Sequence, residues 1–372
     1  VGRWPGALEV VVMAMNRHGA LPDPAFWKGR RVLLTGHTGF KGTWLALWLH
    51  HLGADVVGLA LDPPSEPSLF AQTGLSALID DRRVDLLDQQ GLAAAVHAVQ
   101  PQVVMHLAAQ SLVREGYRHP LHTWNTNVIG SLHLLEALRP LQHPCAVVVV
   151  TTDKVYANDE KGEPFREDDA LGGHDPYSSS KAALELAVAS WRQSYCGDAP
   201  HQTSSLRLAT ARAGNVIGGG DWASERIVPD AIRALQLGEP VQVRNPAAVR
   251  PWQHVLDPLA GYLLLAEQLS MDAAVCGALN FGPDACDQRT VAELIQALLM
   301  HWPDGGWQVA VETAPPRESE RLLLDASLAR ATLGWLPRWR FQEAVTHTAG
   351  WYRAVALGQD PRQLCLEQIA CY

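Results

Sequence analysis

Tyr177 and Lys181 stand four residues apart, which on a helix puts them on one face, one turn from each other. An ammonium beside a phenol favours the phenolate, so such a pair can serve as a base near neutral pH. Upstream, a β-branched apolar run ends in Thr151-Thr152-Asp153-Lys154, a hydroxyl, a carboxylate and an ammonium in succession. Ligands of open α/β sheets sit at the carboxyl ends of strands, so three polar groups at such an end point to chemistry. Taken singly, the same residues would also make a surface Tyr–Lys pair or a strand-end cap. A third feature is Gly36, Gly39 and Gly42, spaced G-x-x-G-x-x-G between a short apolar run and a helical pattern. Glycines there permit a tight turn and let backbone N–H groups approach a pyrophosphate at a helix N-terminus. Asp62, after the next apolar run, can bond a ribose hydroxyl and would repel a 2′-phosphate, which favours NAD over NADP; it can equally start the Pro63-Pro64 turn.

The elements that must position these groups alternate in type. The pattern predicts a strand at 31–35, a helix at 43–52 ended by Gly53, and a strand at 54–61, together a βαβ unit. It continues with a segment at 76–84 leading into Asp85-Leu86, a helix at 92–99, a strand at 103–109 running into a loop, a long helix at 123–138, a strand at 146–152 and a helix at 179–191. Short buried strands alternating with helices predict an α/β fold, a Rossmann-type doubly wound parallel sheet covered on both faces. After residue 210 Pro and Gly become frequent and Arg-containing loops appear at 221–226, 244–252 and 315–321. The expected organisation is a cofactor-binding domain at 29–210 and a smaller, loop-rich substrate lobe at 211–350 interleaved with the sheet. Residues 1–28 are expected to be a poorly ordered extension or a mis-assigned start, with Met13 or Met15 the truer beginning. A C-terminal tail is expected at 351–372, with a short helix of little core value beyond Leu357.

Composition narrows the class. A hydrophobic content of 47% with 19% charged residues suits a globular protein with a sizeable core. A net charge of −9 argues against non-specific binding to nucleic acid or anionic membrane, yet leaves room for a small phosphorylated ligand. The cysteines (145, 196, 276, 286, 365, 371) are scattered without a C-x-x-C pair, so no metal or redox motif is visible and a reducing cytoplasm is expected. The apolar run at 8–15 is too short for a membrane helix, and no other segment approaches the ~20 residues required.

TGHTGFKG at 35–42, HLAAQ at 106–110, NTNVIGS at 125–131, TTDKVY at 151–156 and YSSSK at 177–181 together resemble the extended short-chain dehydrogenases/reductases. RAGNVIGGGDW at 212–222 and RPWQHVLDPLAGYL at 250–263 bring the chain closest to the NAD-dependent sugar-nucleotide 4,6-dehydratases. The Asp153-Lys154 couple resembles the CDP-glucose branch, where dTDP-glucose enzymes carry Asp-Glu. The resemblance covers about residues 25–350; a sugar-nucleotide epimerase on the same fold is the alternative.

That resemblance implies oxidation of the sugar at C4 on bound NAD, elimination of water across C5 and C6, and hydride return to C6. Tyr177 would take the 4-hydroxyl proton, Thr152 would bond the 4-oxygen, and Lys181 would lower the phenol's pKa and hold the ribose. Lys154 would be the base at C5, with Asp153 protonating the departing 6-hydroxyl. A lysine at its reference pKa of ~10.4 cannot accept a proton at neutral pH, so the alternative is that Lys154 only positions Asp153, which would then do both jobs. The cofactor set implied is Gly36, Thr38, Gly39, Phe40, Lys41, Gly42, Asp62, Asp85, Leu86, Leu107, Ala108, Ala109 and Asn127, besides Tyr177 and Lys181. Gln110, Ser111, Arg114 and Tyr117 would line the sugar pocket and Asn215 would contact sugar or phosphate. Arg226 and Arg250 would bond the diphosphate, unless they are solvated loop arginines. His174 is either a ligand contact or a turn residue. Helices at 123–138 and 179–191 fall where this family builds a four-helix homodimer interface. The implied destination of the product is a 3,6-dideoxyhexose of a cell-surface polysaccharide such as O-antigen.

Overall fold

Among the described residues seven parallel strands form, built from largely apolar runs except for the wholly charged edge strand β3: β1 (Arg31–Thr35), β2 (Asp55–Ala60), β3 (Asp80–Arg83), β4 (Val103–His106), β5 (Cys145–Val150), β6 (Leu206–Ala213) and a last strand, Ala278–Phe281. The structure is a computed structural model that describes residues 19–158, 162–196, 204–272, 275, 277–310 and 321–372. The strand order is Ala278–Phe281, β6, β5, β4, β1, β2, β3, with every neighbouring pair parallel. The direction of winding reverses between β1 and β4, the crevice where open α/β sheets bind ligands.

Alternate side chains of each strand feed two separate cores, as the two-residue period of a strand requires. Val32, Leu34, Met105, Val148 and Ala211 face one core; Leu33, Val104, Val147, Val149 and Leu208 face the other. The first core is roofed by the helices Phe40–His51 and Leu256–Met271, the second by Gln89–Val99, Ser131–Leu138 and Pro176–Tyr195. Both sheet faces are therefore covered, which is why the strands read as continuous apolar runs.

The helix expected at 123–138 is interrupted. Pro120–Trp124 is α-helical, Asn125–Gly130 is a π-helical turn, and α-helix resumes at Ser131–Leu138. The widened turn carries Asn127, whose amide bonds the Gln110 backbone and the Ser180 hydroxyl, and π-turns of this kind frequently mark functional sites.

Both chain ends contribute more than expected. Residues 1–18 lie outside the described residues. From residue 19 onward the chain packs on the body: Trp27 is fully buried in the short helix Pro24–Trp27 and bonds Glu267 through its indole nitrogen. The tail forms the helix Pro361–Cys371, which buries Cys365 and Ile369 against the Phe40–His51 layer. Tyr372 reaches the buried Asp257 at 2.9 Å. The tail is thus part of the core, because its apolar residues recur at helical spacing.

Among the described residues beyond β6 lie three small two-stranded sheets: Val216–Ile217 with Gln253–His254, Val249–Arg250 with Arg289–Thr290, and Val241–Val243 with Trp307–Val309. Of the 315–321 loop only Arg321 falls within the described residues. No described helix is long and apolar enough to cross a membrane.

Candidate active site

A cavity of about 910 Å³ opens at the carboxyl ends of the strands and extends toward the small sheets. Its inner wall is the glycine loop. Gly36 has φ +76, and a Cβ there would stand 2.7 Å from Ala108 N; one on Gly42 would stand 2.0 Å from Gly36 O. Only glycine lets the loop fold back on itself and against β4. Gly39 N-caps the helix Phe40–His51 with no side-chain cap, so the first-turn N–H groups remain available to an anion. Thr38 donates to Leu61 O at 3.0 Å. Asp62 lies beyond the end of β2 rather than on it; it is 89% exposed at the cavity rim and paired with Arg83 at 2.8 Å. The Lys41 ammonium donates to the Tyr262 hydroxyl at 3.2 Å. Burial, then the charges of Arg226 and Lys181, lower it to about 7.

The catalytic helix is set by its sequence. Asp175 caps it by accepting from Ser178 N, and Pro176 occupies the first turn, both standard start signals. Tyr177 and Lys181 are buried on its inner face. Lys181 Nζ donates to Val150 O at 3.1 Å, pinning the helix to the end of β5. Burial draws this ammonium down to about 8, opposed by the Glu185 carboxylate. Tyr177 and Thr152 both line the cavity. Burial pushes the phenol up to about 12; the Thr152 side chain and the Arg226 charge pull it down, while Asp153 and Asp175 push it up. Desolvation is the largest influence on the phenol, and the Arg226 charge opposes it.

Thr152 N-caps a short 3-10 turn, Asp153–Val155, that turns the chain beneath the cavity. Thr152 donates to Asp153 Oδ1 at 2.9 Å and Lys154 Nζ donates to the same oxygen at 3.1 Å. Asp153 is fully buried, and its Oδ2 has no hydrogen-bond partner among the described residues. Lys154, 32% exposed, lines the cavity; Asp153 lies behind it.

At the outer end, Arg226 bonds Asp221 Oδ2 and Ser111 Oγ, each at 3.0 Å. Arg250 is buried, not a solvated loop residue, and donates to Val249 O. Asn215 adopts φ +50, and its buried Oδ1 has no partner among the described residues. His174 approaches Asn158 O at 3.3 Å from the cavity wall. Of the site residues expected from sequence, all but Asp153, Asn127 and Tyr117 line this one cavity. Sequence reasoning missed Tyr156, Asp221, Trp222 and Arg244, which also line it. Tyr156 ends the motif that carries Thr152, and the other three fall in stretches already noted for their motif or arginines, so the signal was present but unassigned.

A family model described as GDP-mannose 4,6 dehydratase matches residues 33–348. CDP-glucose 4,6-dehydratase of Salmonella typhimurium is 43% identical over 340 residues, covering 91% of this chain and 94% of its own. dTDP-glucose 4,6-dehydratase of Xanthomonas campestris is 28% identical, covering 86% and 92%. Among solved structures, dTDP-glucose 4,6-dehydratase of Bacillus anthracis in complex with NAD superposes with a TM-score of 0.71 at 20% identity, covering 90% of this chain and 100% of that one. UDP-glucose 4-epimerase of Thermotoga maritima superposes with a TM-score of 0.73 at 23% identity, covering 87% and 99%. At those identities the superpositions establish the Rossmann-type fold.

Proposed function

The chain belongs to the GDP-mannose 4,6-dehydratase family, and from that membership we infer that it converts CDP-D-glucose to CDP-4-keto-6-deoxy-D-glucose and water. The observation that carries this reading is the Asp153–Lys154 couple at the end of β5, beside Thr152 and Tyr177, in a chain 43% identical to a CDP-glucose 4,6-dehydratase.

The residues fit NAD. The folded-back glycine loop and uncapped helix start suit its pyrophosphate, Asp62 its adenosine ribose, Asp85 and Leu86 its adenine, and Lys181 the second ribose. When bound, NAD supplies a hydride acceptor for C4 of the sugar and returns the hydride to C6. Lys41, Thr38, Phe40 and Leu107 to Ala109 complete its wall, and Asn127 holds that wall from behind through Gln110.

Tyr177 removes the 4-hydroxyl proton, with Thr152 holding the oxygen. The 4-ketone acidifies C5–H. Lys154 cedes a proton to the Asp153 carboxylate that accepts its hydrogen bond and then takes the C5 proton, and the couple returns a proton to the departing 6-hydroxyl, which leaves as water. Lys154 meets the sugar directly, since it lines the cavity, and Asp153 acts through it. Gln110, Ser111 and Arg114 flank the sugar, while Asn215, Arg226 and Arg250 face the diphosphate.

We place the enzyme in the cytoplasm as a homodimer, feeding synthesis of a dideoxyhexose for a surface polysaccharide. Free thiols at Cys145, Cys286, Cys365 and Cys371 suit a reducing compartment. Leu121, Trp124, Ile129 and Leu186 are large apolar side chains left exposed on helical segments that pack together, as residues of a helical dimer interface would be; Leu186→Arg should yield a monomer by light scattering.

The test is incubation with CDP-, dTDP-, UDP- and GDP-glucose, monitoring the alkali-induced absorbance of a 4-keto-6-deoxy sugar. Signal from CDP-glucose above the others is expected; epimerisation without that signal would overturn the reading.

A further inference from the structure

Glu185 lies one turn beyond Lys181 on the catalytic helix and is buried with no part in the reaction described above. One carboxylate oxygen accepts from the Thr151 hydroxyl; the other accepts from Thr210 Oγ1 at 2.7 Å and Arg212 at 2.9 Å. Thr151 immediately precedes Thr152 at the end of β5, and Thr210 and Arg212 belong to β6. A single carboxylate thus ties the helix carrying Tyr177 and Lys181 to the ends of two adjacent strands. Arg212 extends the tie, donating to the Tyr156 hydroxyl at 2.8 Å, which in turn donates to Asn280 at 2.6 Å.

Replacing a buried ion pair with well-packed apolar residues is often neutral or stabilising, so stability alone does not account for this one. Its position does. The groups facing Lys181 from other elements are the Val150 carbonyl on β5, His106 on β4 and Lys41 on the glycine-loop helix. His106 is held between Thr35 and Ser131 and is driven by burial down to about 3, so it carries no charge near neutrality. Lys41 repels the ammonium. Glu185 is the carboxylate that supports it.

We propose that Glu185 is the positioning residue of the catalytic pair: through Thr151, Thr210 and Arg212 it keeps the Tyr177–Lys181 helix in register with Thr152. The proposal rests on the preceding reading only in taking Tyr177, Lys181 and Thr152 as reacting groups.

Three full-length variants test it, with NAD binding followed by tryptophan fluorescence across pH and turnover followed on CDP-glucose. In Glu185→Gln the pH at which NAD binding weakens should move about one unit toward acid, and turnover at pH 8 should fall about tenfold. Glu185→Asp should restore the pH profile. Thr151→Val, which keeps both charges, should lower turnover several-fold at unchanged KM while its NAD profile stays in place. A Glu185→Gln profile superimposing on wild type, or full turnover in Thr151→Val, would overturn the proposal; the second arm decides the case if Glu185→Gln does not fold. Wild-type protein that bound NAD but left CDP-glucose unchanged would sink the dehydratase reading, and the NAD profiles would still decide this one.

Discussion

Gly214 packs its backbone directly against the carboxylate of Asp153: a Cβ built on Gly214 would lie 1.8 Å from Asp153 Oδ2 and 2.0 Å from its Cγ. The bend between β6 and Val216–Ile217 thereby forms the floor on which the carboxylate rests. Gln253 fixes that bend by donating to Gly214 O at 3.1 Å. Gly214→Ala would drive Asp153 toward Lys154 and spoil the couple. Misplacement by about 1 Å can cost about 100-fold in rate, so turnover should fall by that order while NAD still binds. Wild-type turnover in a folded Gly214→Ala protein would show that Asp153 need not lie where it does.

Lys154 and Asp153 share one hydrogen bond, but only Lys154 reaches the cavity. Lys154→Met should therefore still oxidise C4, visible as NADH absorbance on adding CDP-glucose, but should no longer exchange C5–H with deuterated solvent. Removing a positioned proton-transfer group typically costs 10²–10⁴-fold, so turnover should drop by roughly that range. Normal C5 exchange in Lys154→Met would assign the base role to Asp153 alone.

Glu267 anchors the N-terminal segment, accepting from Asp23 N at 2.9 Å and from the Trp27 indole. Burial raises its carboxyl from the usual 4.5 to about 7. A raised carboxyl pKa means that the folded state binds the proton more tightly. The stability this gives is complete below about pH 4.5 and is lost as pH rises toward 7. Glu267→Gln keeps the acceptor oxygen without the charge. Its melting temperature should exceed that of wild type by roughly 3 °C at pH 8, the two curves meeting near pH 4.5. A constant gap across that range would dissociate Glu267 from the pH dependence.

Much of the scaffold was legible because it is encoded locally. Val32 to Leu34 and Val147 to Val149 are continuous apolar runs, which a sheet buried on both faces requires. Gly36 and Gly42 announced a tight turn, and the four-residue spacing of Tyr177 and Lys181 announced one face of the catalytic helix, while its start at Asp175-Pro176 appeared only in the structure. The π-turn at Asn125–Gly130 was not legible: its apolar spacing continues the helical pattern on either side, and the extra residue per turn is stabilised by the bonds Asn127 makes to Gln110 and Ser180.

The sequence by itself determined the βαβ glycine loop, the facing of Tyr177 and Lys181, and the polar end of β5, because each depends on residues within a turn or a strand of one another. Only the tertiary structure decided how those groups are solvated and paired. It buried Tyr177 enough that desolvation outweighs every nearby charge, and it set Arg226 against Asp221 and against Ser111, far upstream in the chain. It also turned Asp153 under Gly214 while leaving Lys154 at the cavity wall, and fastened Lys181's helix to two strands through Glu185. Burial and ion pairing belong to the assembled sheet and its covering helices, and spacing along the chain does not encode them.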